Sequence, residues 1–184
     1  MDVFLSASVP SRDRSPRYFE SADVLLIREA VKALIEVVLP RGRLVFGGHP
    51  AITPLIALFV QQLGLESSRL TVFQSAAFQP EFPEALSEFY DVRVIDANGD
   101  RELSLGEMRV EMLSSRSFHA GVFIGGMDGV LDEARLFRLM HPSAKFLPVA
   151  SAGGAARVLY QEVAGLPISL SRELTYRTLF RRLL

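Results

Sequence analysis

The chain has 184 residues, 49% of them apolar, a formal net charge of −1 and no cysteine. That length suits one domain with an ample core, and a near-neutral charge without a basic run argues against nucleic acid as a partner. The lack of cysteine excludes disulfides, thiolate zinc sites and cysteine nucleophiles. The N-terminus lacks a basic-then-apolar leader, and the longest apolar stretches are interrupted by Arg28, Glu29, Lys32 and Glu36, so a cytoplasmic protein with no membrane contact is expected.

Strand and helix patterns alternate along the chain. Val3–Ser6 reads as a first strand. Ala22–Leu39 reads as a helix with Leu26, Ala30, Ala33, Leu34 and Val37 on one side, stopped by Pro40 and Gly42. Arg43–Phe46 is a second strand. Thr53 as N-cap with Pro54 behind it opens a helix to about Leu63. Leu70–Phe73 is a third strand, and Pro80–Tyr90 a short helix interrupted near Pro83. Val92–Asp96 is a fourth strand, followed by a turn at Asn98-Gly99-Asp100.

Ser104 with Glu107 has the spacing of a capping box for a helix through about Ser115. Gly121–Ile124, nearly all apolar, predicts a central, buried fifth strand. A helix from about Gly129 to Met140, a sixth strand Phe146–Val149 and a helix Ala155–Ala164 follow. Such alternation predicts an α/β fold: a single doubly wound, Rossmann-like domain with a mainly parallel sheet and right-handed crossovers. The domain is expected over residues 1–170. Residues 171–184 form an amphipathic C-terminal helix that serves either for packing on the core or as an oligomer contact.

Three Gly-Gly pairs stand where strands hand over to helices: Gly47-Gly48, Gly125-Gly126 and Gly153-Gly154. Glycine permits a sharp turn and close approach to main-chain N–H groups, and a helix N-terminus behind it favours anions. In a parallel sheet these loops share one edge, so they either converge on a phosphate-bearing ligand or are packing turns.

Around them lie the polar candidates. Ser6 and Ser8 end the first strand, and Arg12 or Arg14 follows within reach of the same edge. Their alternative is a solvated loop with capping serines. His49 joins the first glycine pair as a phosphate contact or general base. His49, His119 and His141 lack metal-ligand spacing, so no metal is expected. Gly125, Gly126, Met127 and Gly129 form the densest glycine turn, and Glu133 beyond it suits acceptance of hydrogen bonds from ribose hydroxyls. Ser151, Gly153 and Gly154 form an all-small turn under either a ligand or a packed helix. Arg109 and Arg116 are the arginines placed to lean over the crevice or to stay on the surface.

This order of motifs resembles the SLOG superfamily. That superfamily includes cytokinin-activating phosphoribohydrolases, the DNA-processing protein A fold and the ligand-sensing domains of Thoeris antiphage effectors. The stretches Val122-Phe123-Ile124-Gly125-Gly126-Met127-Asp128-Gly129-Val130 and Val149-Ala150-Ser151-Ala152-Gly153-Gly154-Ala155-Ala156 look most like its cluster 3-type sensor branch, associated with TIR and Sir2 domains.

The enzyme branch carries Pro-Gly-Gly-x-Gly-Thr-x-x-Glu and an upstream Arg-Lys-x-x-Met. Here Ile124 replaces the proline, one extra residue precedes Gly129, Val130 replaces the threonine, and Met108-Arg109-Val110-Glu111-Met112 only echoes the arginine motif. The resemblance therefore implies a non-enzymatic sensor of a nucleotide-derived signal, ADP-ribose or cyclic ADP-ribose-like, in an antiphage system, with no cofactor. The expected assembly is a homo-oligomer with a TIR-domain or other effector as partner. The alternatives are a nucleoside monophosphate phosphoribohydrolase, in which Glu133 and Arg109 become catalytic, and a structural assembly module.

Overall fold

The computed structural model describes residues 1–96 and 99–184. Six parallel strands, β1 (Asp2–Ser8), β2 (Arg43–Gly47), β3 (Leu70–Ser75), β4 (Asp91–Ile95), β5 (Ala120–Gly125) and β6 (Lys145–Val149), form one sheet in the order β4-β3-β2-β1-β5-β6. The chain winds outward from β1 through β2, β3 and β4, then returns to pair β5 with the free side of β1, from Val3 opposite Ala120 to Ser8 opposite Gly125. β1 and β5 therefore flank the topological switch point, where loops diverge to opposite faces and leave a crevice at the strands' carboxyl ends.

Side-chain alternation assigns the faces. Val3 and Leu5, Leu44 and Phe46, Val72, Val122 and Ile124 point into one core with α2 (Val24–Val38) and α3 (Thr53–Gln62). Phe4, Val45, Phe73 and Phe123 point into the other, against α4 (Arg101–Ser114), α5 (Asp128–Met140) and α6 (Gly154–Glu162). Phe4 and Phe137 stack there with centroids 5.6 Å apart, and Phe123 meets Phe137 edge-on at 5.8 Å. The same period places Ser6 and Ser8 on the face of Phe4, toward α4 and α5. Every residue of β5 is buried, in keeping with its apolar sequence.

Local boundaries differ where side chains cap differently from the sequence expectation. The short α1 (Pro16–Phe19) was not anticipated. α2 starts at Val24 because Asp23 accepts from the N–H groups of Leu25 and Leu26. Thr53 is the first helical residue of α3 rather than its cap; its hydroxyl accepts from the His49 N–H. The Pro80–Tyr90 helix is replaced by two 3-10 helices, Ala76–Glu81 and Glu84–Glu88, broken at Pro83. α4 begins one turn before the expected Ser104 cap, since the Asp100 carboxylate accepts from the Leu103 N–H, and Ser104 is buried inside the helix. Asn98, in the expected turn at 98–100, lies outside the described residues.

The C-terminal segment forms α7 (Ser169–Arg172) and α8 (Tyr176–Leu183), and α8 folds back against α2. Tyr176, Leu179 and Phe180 are buried in the first core, while Arg177 pairs with Glu36 at 3.5 Å and Lys145 Nζ donates to the Leu183 carbonyl. The apolar stripe of the tail is thus largely spent on its own domain. No described helix is long and apolar enough to cross a membrane.

Candidate functional site

A cavity of about 710 Å³ opens at the carboxyl ends of β1, β2 and β3, within the roughly 300–1,000 Å³ range of small-molecule sites. It collects Ser6, Ser8, Gly47, Gly48, His49, Arg109, Met127, Gly129 and Glu133, nine of the positions singled out in the sequence. A wider depression of about 770 Å³ lies over Leu103, Val110 and Leu136, on the outer side of α4 and α5. Its lining is mostly apolar and touches only the end of the edge strand β4, away from the β1–β5 switch point, so the cavity at β1, β2 and β3 is the better site.

Ser6 sits at the end of β1 facing α5, and its Oγ donates to Glu133 Oε2 at 2.6 Å. Arg109, from α4, closes the other side of that carboxylate: Nε stands 3.5 Å from Oε1 and Nη1 3.5 Å from Asp132 Oδ2. The Nε contact has ion-pair distance but lacks hydrogen-bond alignment, leaving a buried donor unsatisfied. The Glu133 and Arg109 side chains are only 16% and 15% exposed. Burial raises the Glu133 pKa above the ordinary glutamate value, against the opposing pull of Arg109 and Ser6. The carboxylate is thereby fixed in position by two elements.

At α3 the loop satisfies itself. Gly48 N–H donates to the Phe73 carbonyl, His49 N–H to Thr53 Oγ1, and Ala51 N–H to His49 Nδ1. With Nδ1 accepting, the ring proton resides on Nε2. Burial, reinforced by the charge of Arg14, lowers the His49 pKa to about 4, so the ring is neutral at physiological pH. Gly48 packs against the Gln74 side chain, where an added Cβ would lie 1.9 Å from the movable Nε2 end unless that side chain turned aside.

The other two glycine turns also serve packing. Gly125 and Gly126 have φ of 62° and 85° and make the turn out of β5, outside the residues that line the cavity; Gly126 N–H donates to the Ser8 carbonyl. Gly153 and Gly154 lie behind them. A Cβ on Gly154 would approach the Gly125 carbonyl carbon to 2.7 Å, and one on Gly153 the Ser21 carbonyl oxygen to 1.8 Å. The first N–H groups of α6 donate to Ser21 Oγ and the Gly126 carbonyl. Ser151 donates to the Glu173 carbonyl and lies near the Tyr176 hydroxyl. The three glycine loops therefore share one sheet edge, but Gly154 packs against the β5 turn, Gly153 against Ser21 and Ser151 against the Glu173–Tyr176 segment, and none of the three lines the cavity.

Arg116 is elsewhere, 3.9 Å from Asp2 at the amino end of β1, and Arg12 lies over the Phe19 ring. Sequence reading missed several lining groups: Gln74, Phe78, Phe82, Arg101 and Asp128. Gln74 carried a signal, a polar residue near the end of an apolar strand. Asp128 accepts from the Tyr18 hydroxyl at 2.7 Å, a contact across 110 residues that no local pattern reveals. Among the described residues no group of three or more His, Asp or Glu is placed to hold a metal.

Fold and site together define a Rossmann-like domain with a crevice of mixed polar and apolar lining at the β1–β5 switch point. The chain belongs to the SLOG cluster3 family, whose sequence model matches residues 17–184. Among solved structures it is similar to the X-ray structure of TM1055, a structural-genomics target, with a TM-score of 0.61 and 14% identity over 100% of this chain and 99% of that one. At that identity the likeness concerns the fold. No curated protein matches.

Proposed function

We propose that the crevice binds a nucleotide-derived ligand of the ADP-ribose type and holds it without turning it over. The observation that carries this reading is the Glu133 carboxylate, fixed by Ser6 and Arg109 beside a cavity of nucleotide-compatible size. A fixed, buried acceptor suits a pair of ribose hydroxyls. Both its oxygens already face groups of the chain itself, an arrangement suited to positioning rather than to delivering a proton at a scissile bond.

A sensing role in an antiphage system, in the cytoplasm and with a TIR-domain or other effector as partner, follows from the resemblance of the β5 and β6 turns to that branch. A sensor that signals through a partner acts by favouring one of two assemblies on binding, so ligand-dependent homo-oligomerisation belongs to the same proposal. With Leu179 and Phe180 buried, the contact would use other helical surfaces.

A thermal-shift screen with AMP, ADP-ribose, NAD and cyclic ADP-ribose isomers, combined with an assay for ribose 5-phosphate release, tests the reading. The expected result is stabilisation by at least one of these and no release. Glu133-dependent release from AMP would establish the hydrolase instead.

A further inference from the structure

The polar groups of the crevice are not evenly distributed. Asp128 and Glu133 place carboxylates at the β5–α5 side, where the glycine pattern predicted phosphate. Negative charge and tightly packed turns there disfavour a phosphate. The β1–α1 and β2–α3 loops contribute donors: Ser11, Arg14, Ser15 and His49.

Of the three guanidinium groups lining the cavity, Arg101 pairs with Glu81 at 2.6 Å and Arg109 faces Glu133 and Asp132. Arg14 has no carboxylate partner among the described residues. It lines the same cavity as His49, whose Nδ1 is occupied by Ala51, leaving the proton on Nε2. Ser15 occupies the N-cap position of α1 yet makes no capping hydrogen bond with its side chain. The Ser15 N–H donates instead to the Ser11 carbonyl at 3.0 Å, closing the loop on itself and holding both serines at the cavity.

Building on the nucleotide reading above, the geometry points to a phosphate subsite made by the Arg14 guanidinium, the Nε2–H of His49 and the hydroxyls of Ser11 and Ser15, separate from Glu133. An unpaired guanidinium beside neutral donors suits a phosphoryl group, with charge-assisted bonds from Arg14 and directional ones from His49. The ligand class is then a ribose phosphate. Its phosphoryl group lies at the β1–α1 loop and its sugar hydroxyls reach Glu133.

The His49 ring resonances report this subsite directly. Inorganic phosphate titrated into the intact chain should shift them saturably, in the parent and in Arg12→Ala, a charge-matched control in the same loop outside the cavity. Arg14→Ala should abolish the response. AMP should bind at least about tenfold more tightly than adenosine, and Arg14→Ala should remove that difference. If phosphate leaves His49 unmoved, or Arg14→Ala responds as the parent does, the subsite is wrong. A phosphate response without binding of any nucleoside or nucleotide keeps the subsite and sinks the nucleotide reading. Equal binding of adenosine and AMP with no phosphate response does the reverse.

Discussion

Ser6 and Glu133, 127 residues apart in sequence, meet through a 2.6 Å hydrogen bond that ties the end of β1 to the second turn of α5. The bond exists because the strand alternation turns Ser6 toward α5, and because Val130, Leu131, Ala134 and Phe137 bury the helix face next to Glu133. Ser6→Ala removes a donor to a buried carboxylate. Glu133 should then ionise less readily, and the fold should lose about 1.5–3 kcal/mol at neutral pH, read by urea denaturation. An unchanged midpoint would mean that solvent already serves the carboxylate.

His49 gives the fold an acid sensitivity of known sign. Its folded pKa of about 4 lies below the ordinary 6.5, so the unfolded chain binds the proton more readily between those values. Stability contributed by the neutral ring is complete above pH 6.5 and is lost as pH falls toward 4, by roughly 3 kcal/mol. His49→Asn keeps an acceptor for Ala51 and cannot titrate. Its stability should change less than the parent's across that window, and parallel profiles would refute the assignment.

The glycines divide by role. Gly154→Ala places a Cβ against the Gly125 backbone at a φ of 65° and should cost at least about 1–3 kcal/mol. Gly129 in α5 has ordinary φ, and an added Cβ would meet only the end of Arg109, at 3.1 Å. Gly129→Ala should therefore fold with stability within about 1 kcal/mol of the parent, because alanine favours helix. Gly129→Val adds bulk toward Arg109 and should weaken nucleotide binding while the fold persists. Comparable destabilisation by Gly129→Ala and Gly154→Ala would remove the distinction.

The tail is part of the core. Leu179→Ala should lower stability by about 2–5 kcal/mol, as expected for a fully buried leucine. Truncation after Gly165 should expose the α2 surface that α8 covers and promote aggregation rather than yield a clean monomer. Light scattering and denaturation of the truncated chain check this, and a stable, soluble product would contradict it.

The alternating pattern made the doubly wound sheet legible, and the all-apolar run from Val122 to Ile124 marked the buried strand correctly. The candidate site was legible only in part. Ser6, His49, Arg109 and Glu133 could be named because polar groups at strand ends and helix starts stand out against apolar neighbours. The glycine motifs were ambiguous because a turn against a ligand and a turn against a neighbouring backbone require the same residue. Gly153 and Gly154 meet Ser21 and Gly125, contacts set by tertiary packing. The Ser104–Glu107 spacing lost to Asp100, which caps the helix one turn earlier. The tail was amphipathic in sequence, and only the position of α2 decided what its apolar face would cover.

Ligand-induced stabilisation of the intact chain and of Glu133→Gln, with ADP-ribose and its cyclic isomers, tests the central claim most directly. At a hundredfold excess over the dissociation constant, a ligand that binds only the folded state adds about 2.7 kcal/mol, or roughly 5–10 °C in Tm for a domain of this size. The parent should show such a shift with at least one ligand, and Glu133→Gln should lose most of it while staying folded. No shift with any ligand, or an equal shift in Glu133→Gln, would contradict the account.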